Sequence, residues 1–361
     1  MNRRFSGYLV REILPLYAAG LAALIILLLG SFLFIEDPNV LAEALSRGVG
    51  PGLVAEFLLY SIPSAAAMGL PLALLFASLL GITRLSQDSE IKAALLLGIS
   101  PRRFLLPMFV IGLFVGAVSF LNNEFVAPWS YDRAQEALSD ILVRSPEIVV
   151  EEGSFFTDAL GRSVYVGGLG AGGAVEDVIV IQPSGSQSVS EVIRAERGTL
   201  DQAAGVWRLE NIRLLRYRDG RTVLDAPAAS AAVPFRGLSA SSGTPPELTR
   251  LRLRDLVGRL RGTSPADAPA EWTALHRKFA EPAAAVAFSL FALAIGLYSF
   301  RRNFGLGLVS VLFLTFIYYA TWSVSNLLGA QGAIPAALAG WAPVGLYLVA
   351  GGVLFALSWR R

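Results

Sequence analysis

Three groups of residues in this chain have the types and spacing that could do chemistry. Ser89 and Lys92 stand three apart, a helical spacing at which a lysine could take a proton from a serine nucleophile. That chemistry needs a desolvated lysine, and the surrounding run RLSQDSEIKAALLLGISPRRF, Arg84 to Phe104, reads as an exposed connection where nothing desolvates it. The run GGLGAGGA, Gly167 to Ala174, has the glycines of a phosphate-cradling loop, but no Lys-Ser/Thr follows and no helix opens from it. A flexible turn is the better reading. His276, the single histidine, lies beside Arg277 and Lys278, and without a cysteine or a second histidine it makes a poor metal site. No G-x-x-x-x-G-K-[ST] occurs, so the chain is not its own ATPase. What remains is recognition: Asp88 and Glu90, two acids on a connection that patterns as a helix.

Ser86 or Asp88 can cap that helix, and Glu90 then falls in the first turn, where a carboxylate complements the helix dipole. Ile91, Ala94 and Leu95 recur at helical spacing, and Gly98 supplies the stop. Ser100-Pro101 offers a fresh start beyond it. The spacing therefore predicts a helix of roughly three turns over 86–98. A helix resting on lipid would carry Lys or Arg across its polar face. Here two of the three charges, Asp88, Glu90 and Lys92, are acidic, which favours a docking surface for another protein.

The elements that must position this helix are membrane spans. Of 361 residues 54% are hydrophobic and 16% charged, with mean hydropathy +0.56, far more apolar than a soluble domain needs. Six runs are long enough to cross a hydrocarbon core and hold no Asp, Glu, Lys or Arg: Pro15–Ile35, Phe57–Ile82, Phe104–Leu121, Pro282–Phe300, Phe304–Leu328 and Ala333–Ser358. The first is too long for a signal-peptide core and lacks a small-residue cleavage site behind it, so it reads as a retained span. Charge-free spans argue against a proton- or ion-coupled carrier. Basic residues collect at Arg3, Arg4, Arg11, Arg84, Lys92, Arg102, Arg103, Arg301, Arg302, Arg360 and Arg361, whereas the opposite short loops hold Arg47 alone. By the positive-inside rule both termini and the docking helix are cytoplasmic, and the block from about Asn122 to Glu281 lies outside. A net charge of +2 is too small to suggest nucleic acid, and the lack of cysteine excludes disulfides.

The outer block changes character along its length. Asn122 to about Val143 reads as a helical extension of span three. From about Glu147 short β-type runs follow, EIVVEEG, RSVYVGGL, EDVIVIQP, SEVIRAERGTL, VWRLENIRLLRYR and RTVLDAP, punctuated by turn residues as in a sandwich, jelly roll or open barrel. Their alternation predicts an apolar-lined groove, with Val166 and Ile179 as inward positions. Ser239–Pro246 is a linker, and Glu247–Arg261 patterns as an amphipathic helix with Leu248, Leu251, Leu256 and Leu260 near one face. A second helix-like run, Glu271–Phe279, leads to span four through Pro282. The expected fold is thus an α-helical polytopic membrane protein of six transmembrane helices with an inserted all-β, jelly-roll-like domain. Residues 1–123 hold three spans, 124–281 the outer region with its β core at about 146–236 and amphipathic helices at about 247–279, and 282–361 the last three spans.

RLSQDSEIKAALLLGISPRRFLLP resembles the cytoplasmic loop between spans two and three of the LptF/LptG permease family, the membrane subunits of the lipopolysaccharide-export ABC transporter. AEWTALHRKFAEPAAAVAFSLFALAIGL, Ala270 to Leu297, is similar to the family's approach to span four. AERGTLDQAAGVWRLENIRLLRY resembles its outer β domain, with Gly205, Trp207, Leu209 and Asn211 in a Gly-x-Trp-x-Leu-x-Asn pattern. The resemblance implies a non-enzymatic permease that pairs with a related permease. It also implies a cytoplasmic ABC ATPase dimer that burns the ATP, and export of lipid through the inner membrane to a periplasmic bridge of jelly-roll type. It implies no cofactor on this chain. Glu90 takes the position of the coupling-helix glutamate, which contacts a basic residue of the ATPase, with Asp88, Ser89, Ile91, Leu95 and Gly98 around it. One departure concerns the outer end of span one, where the family's basic residues hold lipid phosphates and this chain has Glu36 and Asp37. Anion binding would then fall to Arg133, Arg277 and Lys278, or to the partner permease. An F-like or a G-like subunit, and lipopolysaccharide or another envelope lipid, both fit. A membrane enzyme would need a catalytic pair that the spans lack. A membrane-anchored sensor or scaffold with a ligand-binding β domain would need no docking helix.

Overall fold

Inside a hydrocarbon layer each backbone N–H and C=O must be bonded within the chain, so apolar runs of this length fold as helices. The computed structural model describes residues 2–35, 50–98, 100, 102–144, 153–157, 162–169, 174–184, 188–201, 206–218, 221–234, 248–302 and 308–359. Glu36 and Asp37, residues 170–173 of the glycine run, and the 239–246 linker lie outside the described residues. The helices are α1 (Asn2–Ile35), α2 (Pro51–Gln87), α3 (Glu90–Leu96), α4 (Arg102–Leu121), α5 (Ala127–Arg144), α6 (Leu253–Leu260), α7 (Pro269–Arg302), α8 (Leu308–Ala330) and α9 (Ala336–Trp359). Among the described residues six helices are long and apolar enough to cross a membrane, one for each run read from the sequence.

One span boundary differs from expectation. Pro282 does not open span four but sits inside α7, which starts at Pro269 and absorbs the helix-like run before it. Span three continues as read, through a π-helical turn, Asn122–Val126, into α5. The described residues divide into two units. One is helical and draws on Met1–Leu29, Ile62–Ser130 and Glu247–Arg361; the other draws on Gly30–Ser61 and Tyr131–Pro246 and holds the sheet.

Small residues set the packing of the helical unit. A Cβ on Gly112 would lie 2.8 Å from Val286 Cα, and one on Gly116 would lie 2.8 Å from the Pro282 carbonyl oxygen. The Gly112-x-x-x-Gly116 pair therefore lets the backbones of α4 and α7 approach closely, as small-xxx-small pairs do where no hydrophobic effect drives helices together. Phe288, Phe291, Tyr318 and Tyr347 interlock edge to face where α7, α8 and α9 meet. The Tyr347 hydroxyl donates to the Leu314 carbonyl, which satisfies a polar tip amid apolar walls. Among the amphipathic leucines Leu256 and Leu260 are buried and Leu248 and Leu251 pack beside them against Trp272, Ala274 and Leu275 of α7, but the single helix expected over Glu247–Arg261 is instead a 3-10 turn, Leu248–Arg250, followed by α6.

The second unit is built on an antiparallel sheet in sequence order: β1 (Ser154–Thr157), β2 (Ser163–Leu169), β3 (Ala174–Ser184), β4 (Ser188–Asp201), β5 (Val206–Arg218) and β6 (Arg221–Pro234). This is an up-and-down meander, an open form among those the alternation allowed. One face is apolar. Val164, Val166, Val178, Val180, Ala195, Leu209 and Ile212 are buried with Val54 and Phe57 of α2 and Ala134, Leu138 and Ile141 of α5. The other face is polar, with Arg194–Asp177, Arg197–Glu176, Arg213–Asp225 and Arg216–Glu191 pairs crossing between strands.

A crease crosses this sheet. The ladders run Val166↔Val178 then Gly168↔Glu176, Val178↔Ala195 then Glu176↔Arg197, and Ala195↔Ile212 then Arg197↔Glu210, passing over Gly167, Asp177, Glu196 and Asn211. Asp177 and Asn211 take left-handed φ values of 50 and 49°, which Asn and Asp tolerate better than other non-glycine residues. Each strand thereby shows two consecutive residues to solvent, Glu176-Asp177, Glu196-Arg197 and Glu210-Asn211, and then returns its next side chain to the core. Asn211, the last residue of the sequence pattern, has a backbone role here. Its amide also donates to Glu196 Oε2 at 2.9 Å.

Candidate docking helix and its supports

Helix α3 is shorter than its sequence suggested. Residues 84–87 complete α2, and the chain turns at Ser89, whose φ of 60° and ψ of 14° are left-handed. A non-glycine residue in that region costs about 1–2 kcal/mol. The Ser89 side chain makes no capping bond, so neither Ser86 nor Asp88 nor Ser89 starts the helix by the expected route. The Ser89 carbonyl accepts from Ala93 N–H at 2.9 Å, and the helix runs two turns to Leu96. Gly98 ends it as read, with φ 80° and its N–H on the Leu95 carbonyl at 3.0 Å.

The two faces of α3 have different neighbours. Ile91 and Ala94 are buried with Leu9 and Ile13 of α1, Ile82 and Leu85 of α2, Phe104 and Met108 of α4, and Leu293 and Leu297 of α7, while Leu95 packs partly against them. Full burial of a side chain the size of Ile91 stabilises by roughly 1.5–3 kcal/mol. Ile91 and Leu95 therefore seat the helix rather than present it. Outward stand Asp88, Ser89, Lys92, Ala93, Gly98 and two leucines that the sequence reading passed over, Leu96 at 81% and Leu97 at 77% exposure. An apolar pair beside acids on a fixed two-turn helix offers a partner both a contact to desolvate and charges to recognise.

Glu90 is half-buried, and its Oε2 accepts from the Tyr8 hydroxyl of α1 at 2.6 Å. Arg84, at the end of α2, pairs with Glu12 of α1 at 2.7 Å and more loosely with Asp88 at 3.7 Å. Tyr8 and Glu12 were not singled out from sequence. A signal existed: Glu12 is the sole acid before Glu36.

The cationic candidates are placed differently from one another. Arg133 is exposed and pairs with Glu136 one turn on, at 3.0 Å. Arg277 is 1% exposed, its guanidinium stacked 4.1 Å over the Trp322 ring and donating to the Trp322 carbonyl at 2.6 Å, while Trp322 Nε1 donates to Glu281. Lys278 is buried and donates to Glu124 Oε2 at 2.8 Å. Glu124 lies in the π-helical turn, and its Oε1 accepts the Leu253 N–H at 2.7 Å, at the start of α6. Arg277 and Lys278 thus have intrachain partners, and the helices carry a buried ion pair just beyond the charge-free runs. His276 packs against Gly340, where an added Cβ would meet its own at 2.5 Å.

Val166 and Ile179 do not share a face. Val166 pairs with Val178 on the buried side, whereas Ile179 pairs with Tyr165 and is half-buried on the opposite side. The apolar face that was expected to be an open groove is covered here by α2 and α5 residues of the same unit.

Compared with protein families, residues 7–357 match the model described as lipopolysaccharide export system permease LptF/LptG. Among curated proteins none matches the sequence.

Proposed function

The chain belongs to the LptF/LptG family of lipopolysaccharide export permeases, and from that membership we propose that it is the energy-receiving half of a paired permease. It is a multi-pass membrane protein and a transporter component, not an enzyme. In our reading it lies in the inner membrane with both termini cytoplasmic and the sheet unit periplasmic. It extracts lipopolysaccharide or a related lipid and hands it to a jelly-roll bridge. It binds no cofactor itself, since a separate cytoplasmic ABC ATPase dimer uses the ATP.

The observation that carries this reading is helix α3, seated by Ile91 and Ala94 and offering Leu96, Leu97, Asp88 and Glu90 to a partner. A connector lying on lipid could bury the two leucines, but the acids beside them disfavour a lipid surface and favour a protein partner. Two further features support it. Helices α1 and α8 bury little of their apolar surface within this chain, which suits a paralogous permease and lipid as neighbours. Strand β6, 14 residues long, has one edge unpaired among the described strands, a surface to which a bridge strand can add.

The decisive experiment is purification from membranes in mild detergent with identification of companions and lipid. The expected result is an ABC ATPase, a second permease of the family and a phosphorylated glycolipid. Recovery of the chain alone with a soluble ligand would favour the sensor or scaffold reading instead. A cytoplasm-active reporter fused after Arg302 should be active and one near Gly172 silent; the reverse would overturn the orientation, and the docking role with it.

A further inference from the structure

Helix α1 holds the docking helix at Glu90 and the end of α2 at Arg84, and we propose that Tyr8 is a positioning residue for Glu90. It would fix the carboxylate's orientation with a neutral donor and so leave its charge for an incoming cation. The inference rests on the reading that α3 docks on the ATPase.

Tyr8 and Glu12 are four apart, on one face of α1. Their neighbours Leu9 and Ile13, each 1% exposed, are buried in the cluster that seats Ile91. From this face Glu12 takes Arg84, before the left-handed corner at Ser89, and Tyr8 takes Glu90, just after it. The corner is bracketed by two contacts from a single helix face. A force that moves α3 against α1 must therefore break the Tyr8 bond, while the Arg84 pair holds the end of α2 on the same helix face.

The chemistry of the two contacts differs. Arg84 neutralises Glu12 and approaches Asp88, so these acids already face a cation. No ion pair joins Glu90 to a basic side chain among the described residues. A phenol donates one hydrogen bond and carries no charge. It engages Oε2 and, among the described residues, leaves Oε1 and the full negative charge for a guanidinium or ammonium group from outside. An arginine at position 8 would hold Glu90 as firmly but cancel the charge that docking needs.

The test uses the full reconstituted transporter in proteoliposomes, with the wild type, Tyr8→Phe, Glu90→Ala and the double variant. The readouts are ATPase retention on the permease, ATP hydrolysis, and lipid released per ATP. Tyr8→Phe keeps the ring and removes the donor. It should lower lipid released per ATP roughly threefold to tenfold, the range an ordinary solvent-exposed hydrogen bond can supply, with the thermal transition unchanged. In the Glu90→Ala background the same change should do nothing further, because the group it positions is gone. Full effects of both single changes that multiply in the double variant would overturn the positioning role, and so would a normal yield per ATP in Tyr8→Phe. If Glu90→Ala itself leaves ATPase retention and transport intact, it is the docking reading that falls. Asp88→Ala, already facing Arg84, should have the smaller effect of the two acids.

Discussion

The helical unit and the sheet unit both hold opposite charges close together, but in opposite surroundings. In the helical unit Lys278 and Glu124 meet at 2.8 Å with side chains 3% and 11% exposed. On the sheet Arg213 and Asp225 meet at the same 2.8 Å with side chains 65% and 41% exposed. Distance does not separate the two pairs; water does. An exposed pair can lose one member and let solvent replace it. A buried pair cannot, and the survivor bears the desolvation penalty alone. The buried pair also joins elements far apart in sequence, the π turn, α7 and the first turn of α6, through the second carboxylate oxygen on Leu253 N–H. π-Helical turns often mark functional positions, and this one aims a carboxylate at two donors at once.

The contrast sets an order of effects. Lys278→Met should be the most damaging change, costing about 3–5 kcal/mol by leaving Glu124 buried and unpaired. It should be read as a fall in the thermal transition of the detergent-solubilised protein. Adding Glu124→Gln to it should recover much of the loss, because the amide oxygen can still accept from Leu253 while the charge is removed. If Lys278→Met behaves like a surface change, the distinction between the two units is wrong. Gly116→Val comes next. Its side chain would meet the Pro282 carbonyl, backbone that cannot swing aside, and overpacking of this kind costs about 1–3 kcal/mol. Disulfide trapping between α4 and α7 should then report wider helix separation.

Asn211→Val should follow, at about 1–2 kcal/mol, because a β-branched residue resists the left-handed φ of the crease. Asn211→Gly should be milder, and a Val variant as stable as the Gly variant would show that the crease does not depend on that conformation. Arg213→Ala should be the mildest, with a melting change near experimental scatter. Here pH sharpens the comparison. The Arg213 hydrogen bond lowers the Asp225 pKa below the usual carboxylate value. Stability from this pair is therefore complete above about pH 3.9, the unfolded value, and is lost as pH falls through the lower folded value. Acid titration of the wild type and Arg213→Ala should differ only in that acidic window.

Much of this could be read along the chain. The six apolar runs, the alternating strands, the amphipathic leucines around α6 and the Gly98 stop were all legible because each depends on neighbours within a turn or a strand. The polar doublets Glu176-Asp177, Glu196-Arg197 and Glu210-Asn211 were also in view, and they break the alternation where the crease falls. Without the strand register they could not be aligned into one line. For the same reason Val166 and Ile179 were assigned to one face, since a one-residue change of phase moves a side chain across the sheet.

By itself the sequence determined which segments cross the membrane, that a β insertion divides them, and that a short helix with an acidic start joins spans two and three. Hydrophobic length and period are local properties, and the backbone's need for internal hydrogen bonds in lipid leaves few ways to satisfy them. Only the tertiary structure decided what each charge faces. Tyr8 reaches Glu90 across 82 residues and Lys278 reaches Glu124 across 154. No local pattern encodes such a pairing. Whether a charge ends beside water or beside a single buried partner depends on how the helices pack, and that also sets what its loss would cost.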